Sequence, residues 1–187
     1  MKLEPLLSYR ATLKPVVSVG PGPFGNRAIF DVTGGTFEGP RLRGTILPSG
    51  ADWLLLSADG FARLDVRATF ETHDGAFIYL SYFGVLEMNE RVTTAMSQGA
   101  AMEYGEAHFF TSPRFETGDP RYAWLNSVVA VAEGKGASGG GGISRLQPGE
   151  RLSASGCAAR VRFTPLAPAD AIAVAPRRRG RAASPPG

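Results

Sequence analysis

From Phe61 to Thr72 apolar and polar side chains alternate with a period of two. Leu64, Val66, Ala68 and Phe70 fall on one face, and Arg63, Asp65, Arg67, Thr69 and Glu71 on the other. Successive side chains of a strand point to opposite faces, so this is the pattern of a half-buried β-strand. Asp59-Gly60 precedes it and Asp74-Gly75 follows it. Both are favoured turn pairs because glycine accepts positive φ. The apolar run Ala76–Leu86 is its natural hairpin partner. Further strands are predicted at Leu3–Leu13, Arg27–Asp31, Gly35–Leu47, Asp52–Leu56, Ala107–Thr111 and Ala123–Ala132. Turn chemistry at Gly20-Pro21-Gly22-Pro23, Pro48-Ser49-Gly50 and Gly118-Asp119-Pro120 separates them. Val92–Met102 fits a helix or a structureless loop equally. Many short strands with regular turns predict an all-β, antiparallel barrel or sandwich.

The pattern stops at Glu133. Residues 134–187 hold ten glycines and six prolines but one aromatic, Phe163, against seventeen in residues 1–133. Such a composition buries too little apolar area to offset chain entropy, so this segment is expected to be a disordered tail. Charge divides at the same place. The tail holds nine Lys/Arg and two Asp/Glu, a balance of +7, and the body a balance of −4. The basic pI of 9.3 therefore belongs to the tail. An acidic body is a poor phosphate-binding surface, and nucleic acid is expected to bind at most non-specifically, through the tail.

The bulk composition is that of a soluble protein. The apolar runs Trp53–Leu56 and Val128–Ala132 are far short of a membrane helix. No signal-peptide core follows the N-terminus, and the single cysteine, Cys157, excludes an internal disulfide. A cytoplasmic address is the default, with no membrane partner. Gly20-Pro21-Gly22-Pro23-Phe24-Gly25 matches G-x-G-x-x-G, but prolines interrupt it and a strand follows, so it reads as a rigid turn and not a nucleotide loop. The two histidines, His73 and His108, stand in no metal-binding spacing, and no metal is expected. Cys157 has no neighbouring base, and no G-x-S-x-G elbow occurs.

The polar row Asp65, Arg67, Thr69, Glu71 allows two arrangements. In one it is a solvated outer face, with the apolar row in the core. In the other it lines a cavity, where a carboxylate and a guanidinium two positions apart would shift each other's proton affinity. Tyr79, Tyr82, Trp53 and Trp124 would then add ring surface and polar tips.

Four stretches carry a family resemblance: V-T-G-G-T-F-E-G-P-R-L-R-G (32–44), A-D-W-L-L-L (51–56), L-D-V-R-A-T-F-E-T-H-D-G-A-F-I-Y (64–79) and S-P-R-F-E-T-G-D-P-R-Y-A-W-L-N (112–126). In this order they resemble domain of unknown function 3237, also called uncharacterised protein family 0311, from about Lys2 to Glu133. The resemblance implies a small bacterial β-barrel, similar to allene oxide cyclase and lipocalin-like barrels, with no generally established activity. It singles out Asp52, Trp53, Asp65, Arg67, Tyr79, Arg114, Glu116, Trp124 and Asn126. It also implies an arginine before Thr111, where this chain has Phe110, and a closing strand reading roughly Y-R-V-Y. Here Gly142–Gln147 stands in its place, and one choice of codons for that stretch reads A-Y-R-V-Y in the next frame. A frameshift that replaced the last strand would leave an unpaired edge.

The expected function is small-molecule binding in the barrel, as a cofactor-free lyase, isomerase or cyclase. Asp65 or Glu116 would act as acid or base, Arg67 and Arg114 would hold an anionic oxygen, and Tyr79 or Tyr82 would donate a hydrogen bond. Asp52, Trp53, Trp124 and Asn126 complete the expected ligand-binding set. The alternatives are a non-catalytic carrier of an apolar or aromatic metabolite and a structural or interaction protein. An apolar outer face would favour a homodimer.

Overall fold

The computed structural model describes residues 3–98, 100–136 and, as a backbone path, 157–164. Nine strands form one antiparallel sheet: β1 (Glu4–Leu13), β2 (Val17–Gly22), β3 (Gly25–Glu38), β4 (Arg43–Leu56), β5 (Phe61–Thr72), β6 (Phe77–Glu87), β7 (Phe109–Glu116), β8 (Val129–Gly136) and β9 (Cys157–Thr164). One helix, α1 (Glu90–Gln98), and one 3₁₀ turn (Ala123–Ser127) complete the described elements. The strand order is β1-β9-β8-β7-β6-β5-β4-β3-β2, and an additional β1–β3 ladder joins the ends. β1 thus bonds to β9 on one side and β3 on the other, and eight strands close into a barrel. β2 lies outside that ring as an edge strand on the first half of β3.

The row Leu64, Val66, Ala68, Phe70 points inward and is buried, and it meets Leu80 and Tyr82 of β6, Tyr9 of β1 and Phe30 of β3 in a single core. Phe37 stacks on Phe70 with ring centroids 4.6 Å apart. The partners of Asp65, Arg67, Thr69 and Glu71 across the sheet lie on the outer face with them.

β3 has to serve two neighbours, β2 along its first half and β1 along its second. It bends at Gly34 and Gly35, whose φ angles are +149° and +144°. The register with β4 shifts between Asp31 and Gly35, so Val32 and Phe37, five residues apart, both point inward. A Cβ on Gly35 would fall on the carbonyl oxygen of Arg10 in β1. The glycine therefore serves both the bend and the close approach of β1 that closes the ring.

Both ends of the barrel are covered. At one end the turn after β5 anchors the segment between β7 and β8. Arg121 bridges Asp74 at 2.8 Å and Asp119 at 2.7 Å, and the Tyr122 hydroxyl donates to Asp74 at 3.0 Å. Tyr122 and Leu125 are buried there. At the other end α1 starts on Asn89, whose side-chain oxygen accepts the Val92 N–H at 2.9 Å, and buries Val92 and Ala95.

Several boundaries differ from the pattern in the sequence. Val17–Gly22 is a strand despite its proline, because an edge strand can lack a ladder donor. Pro48-Ser49-Gly50 is a bulge inside β4, where the register with β5 shifts between Ile46 and Gly50. The expected strand Gly35–Leu47 is cut by a turn at 39–42, and Ala123–Ser127 is a 3₁₀ turn before β8. The helix overlaps Val92–Met102 but starts earlier, at Glu90, and ends sooner, at Gln98. β8 runs through Gly136, past the composition break at Glu133. The open seam expected between the last strand and β1 is filled by β9, which pairs with both β8 and β1. Gly139–Gly142, Gly142–Gln147 and the arginine cluster near the C-terminus lie outside the described residues.

Gly35→Ala should destabilise the fold by about 1–3 kcal/mol, since the backbone there is strained for an L side chain and a Cβ has no room. Gly60→Ala, also at positive φ but in open space, should cost less than half of that. Urea denaturation of the two variants measures the difference.

Candidate functional site

Inside the barrel a cavity of about 40 Å³ lies between β1, β3, β4, β5 and β6. Most of its wall is aliphatic: Leu13, Val32, Ile46, Leu64, Val66 and Leu80. Among the described residues that line it, the polar ones are Asp52, Tyr9 and Tyr82. The Tyr9 hydroxyl donates to the Tyr82 hydroxyl at 2.9 Å, and both rings are buried. Two tyrosines are brought together here from strands 73 residues apart in the chain.

Asp52 reaches this place because of the β4 bulge. Beyond Gly50 the strand alternates Asp52, Leu54 and Leu56 inward, against Trp53 outward. One carboxylate oxygen accepts the Asp65 N–H at 3.1 Å. The carboxyl sits deep among protein atoms, although the residue keeps some accessible surface. Its pKa is pushed up from 3.8 to about 7, chiefly because burial disfavours the charged form. The Asp65 N–H and the charge of Arg27 oppose the rise, and the charge of Asp65 adds to it. At neutral pH the group is therefore shared between acid and carboxylate, the state suited to exchanging protons with a substrate.

The other residues singled out in the sequence lie elsewhere. Asp65 and Arg67 form an ion pair of 2.9 Å on the outer face, with side chains 33% and 43% exposed. They do not converge in a cavity, because the parity of β5 that buries Val66 turns both of them outward. Trp53 is outside as well, with the Arg67 guanidinium 5.2 Å from its ring centroid. Trp124 carries Arg41 at 3.7 Å on its face. The expected convergence of Asp65 and Arg67 in a cavity is thus corrected, and of the residues singled out Asp52 and Tyr82 line the interior cavity. Tyr79, Arg114, Glu116 and Asn126 line a separate groove on the outside of β6 and β7. Phe110, where the resemblance implies an arginine, is 47% exposed on the outer face, so this difference removes no polar group from the interior. The neighbouring Thr111 points inward, and its buried hydroxyl has no hydrogen-bond partner among the described residues.

Tyr9 was not singled out from the sequence. Its only signal is its place on the inward row Leu7, Tyr9, Ala11, Leu13 of β1. No pattern in the chain announces that this row meets β6 across the barrel. Among the described residues no group of three His, Cys, Asp or Glu is placed to hold a metal ion. No described helix is long and apolar enough to cross a membrane.

Because the folded state holds Asp52 protonated to higher pH than the unfolded chain does, its contribution has a definite sign. It costs nothing below about pH 4, grows as pH rises toward 7, and is constant above that. A shift of this size corresponds to on the order of 4 kcal/mol. Asp52→Asn should therefore be more stable than the native chain at pH 8 and lose that advantage at pH 4. Denaturant titrations at the two pH values test this.

The fold and its sequence have known relatives. The family described as Protein of unknown function (DUF3237) matches residues 1–145. A UPF0311 protein from Rhodopseudomonas palustris is 33% identical over 126 residues, covering 67% of this chain and 82% of that protein. The crystal structure of a β-barrel-like protein from Acinetobacter baumannii superposes with a TM-score of 0.65 at 32% identity, covering 87% of this chain and 94% of that one. The hydroalkoxylation enzyme phnH of Penicillium herquei is 28% identical over 128 residues, covering 68% of this chain and 70% of that enzyme. With its inward rows, its ring of strands and four sequence motifs in order, the chain belongs to the DUF3237 family of β-barrel proteins.

Proposed function

We propose that the protein is a cofactor-free enzyme that moves protons on a small organic substrate inside the barrel, with Asp52 as the acid and base. The observation that carries this reading is a single carboxyl in an aliphatic cavity whose pKa lies near 7. Structural carboxylates of this chain, such as Asp74 and Asp119, are held in the opposite direction, below the usual range, by hydrogen bonds to Thr72 and Arg121.

The relationship to a hydroalkoxylation enzyme supports one reaction class in particular. In hydroalkoxylation a hydroxyl adds across a carbon–carbon double bond, and within one substrate molecule that addition closes a ring. For a conjugated double bond, the Asp52 carboxylate takes the hydroxyl proton as the new C–O bond forms. The negative charge passes to the enolate oxygen, which is stabilised by hydrogen bonds, a role suited to the hydroxyls of Tyr9 and Tyr82. Asp52, now protonated, returns the proton to carbon. The product is an isomer of the substrate, and nothing else is consumed or released.

A cavity of about 40 Å³ has room for little more than a water molecule, so it suits the reacting end of a substrate and not its whole body. Leu13 and Asp52 keep accessible surface and mark the side from which that end would enter. The small volume also weighs against a passive carrier, which needs space for the entire ligand.

A hydroxyl-bearing conjugated enone incubated with the full chain in D₂O should cyclise with deuterium at the carbon α to the carbonyl. The rate should follow an ionisation near pH 7. Asp52→Asn should lose about 10²–10⁴-fold, the range for a positioned acid–base group, and Asp65→Asn should lose less than threefold. Equal losses in the two variants, or no turnover of a panel of such enones, would overturn the reading.

A further inference from the structure

The wall of the barrel is not equally tight all round. β5 and β6 share eleven registered pairs, from Phe61↔Glu87 to Glu71↔Phe77. β6 and β7 share eight, from Tyr79↔Glu116 to Leu86↔Phe109. β7 and β8 share two, Phe110↔Glu133 and Thr111↔Ala132, although β7 continues to Glu116 and β8 begins at Val129. Beyond Thr111 the strands part, and the Asn126 side chain holds the segment leading into β8 in place by bonding Thr117 at both ends, at 2.9 and 3.0 Å.

The parting leaves a groove of about 710 Å³ on the outside of the seam. That is the size of an ordinary small-molecule site. Its floor reaches the inward residues Phe115 and Ala130, so it cuts into the wall instead of lying on it. One side is apolar, from Val128 to Ala130. The other carries Tyr79 and Ser81 of β6 opposite Glu116 and Arg114 of β7. Arg63, Arg67, Arg91 and Arg121 are each bridged to a carboxylate. Among the described residues Arg114, like Arg27, Arg41 and Arg43, has no such bridge, and it is the arginine that lines this groove. An unbridged guanidinium, an exposed phenol ring and an aliphatic wall form a site for an anion with an apolar body.

We infer that this groove binds a monocarboxylic acid with an aromatic or apolar body, its carboxylate on Arg114 and its body between Tyr79 and Val129. Glu116 stands two residues along the same face, about 6.6 Å by strand rise, and sets the charge preference. It repels a second carboxylate, so one anionic group is accepted and two are not. The groove lies outside the barrel, and its occupancy does not depend on Asp52.

Isothermal titration of the full chain with cinnamate, methyl cinnamate and 4-carboxycinnamate tests the assignment. Cinnamate should bind, methyl cinnamate should bind at least tenfold more weakly, and 4-carboxycinnamate should bind several-fold more weakly. Arg114→Gln should weaken cinnamate at least tenfold, and Arg114→Lys less than that. Glu116→Gln should remove the discrimination against 4-carboxycinnamate. Asp52→Asn should bind cinnamate as the native chain does. Absence of cinnamate binding, equal binding of acid and ester, or an unchanged affinity in Arg114→Gln overturns the inference. Loss of binding in Asp52→Asn with retention in Arg114→Gln would place the ligand in the interior and overturn it as well. The Arg114 variants sit on an exposed outer position, and matching thermal unfolding curves confirm that they are folded.

Discussion

Closure of the sheet on itself is the constraint from which the rest of this protein follows. β1 has ladders to both β3 and β9, so the sheet of the barrel has one inner and one outer surface. Every strand must then put one of its two rows into a space that only side chains can fill. Phe70, Ile78 and Leu80 from the strands, and Leu125 from the 3₁₀ turn at one end, are fully buried there. The closure depends on backbone approaches that leave no room for a side chain, at Gly35 against β1 and at Gly44 against β5. A barrel this full has few places where a polar group can be retained, and any polar group inside is costly.

Asp52 is such a group. Its carboxyl is surrounded by aliphatic side chains and accepts one backbone N–H, far less than water would provide. The fold answers by raising the proton affinity of the group instead of pairing it with a cation. The stability lost at neutral pH is the counterpart of a carboxyl able to give and take a proton there. The outer ion pairs behave oppositely. Asp59, Asp74, Glu106 and Asp119 are all held below the usual carboxylate range by hydrogen bonds, and they fix turns and end segments. Different surroundings thus move the proton affinity of the same residue type in opposite directions.

The family motif around Gly118-Asp119-Pro120-Arg121-Tyr122 belongs to the architectural side. Its Arg121, held by Asp119, and its Tyr122 converge on Asp74 in the turn between β5 and β6, and so tie one end of the barrel shut. The same tie sets where β8 starts and hence where β7 and β8 part. The groove beside Arg114 is in this sense a consequence of how the end is closed.

Much of the fold was legible in the sequence. A period of two with Asp-Gly turns identifies β5 and its partner β6, because the pleat is a local property of the chain. The long β3 and the bulge in β4 were not legible. Residues 32–34 fall between two predicted strands and Pro48-Ser49-Gly50 looks like a turn when read locally, and only the neighbouring strands hold these stretches in an extended path. The site was legible in residue types and not in place. Asp52 and Tyr82 were among the candidates, but the row containing Asp65 and Arg67 had two equivalent readings. Periodicity shows that two rows face opposite ways; which of them faces inward is decided when the sheet closes. Tyr9 meets Tyr82 across 73 residues of chain, and the proton affinity of Asp52 depends on side chains from four other strands. The sequence by itself determined the alternation, the turns and the chemistry available. The tertiary structure alone decided which carboxyl was taken out of water, since burial is a property of the closed barrel and not of any strand within it.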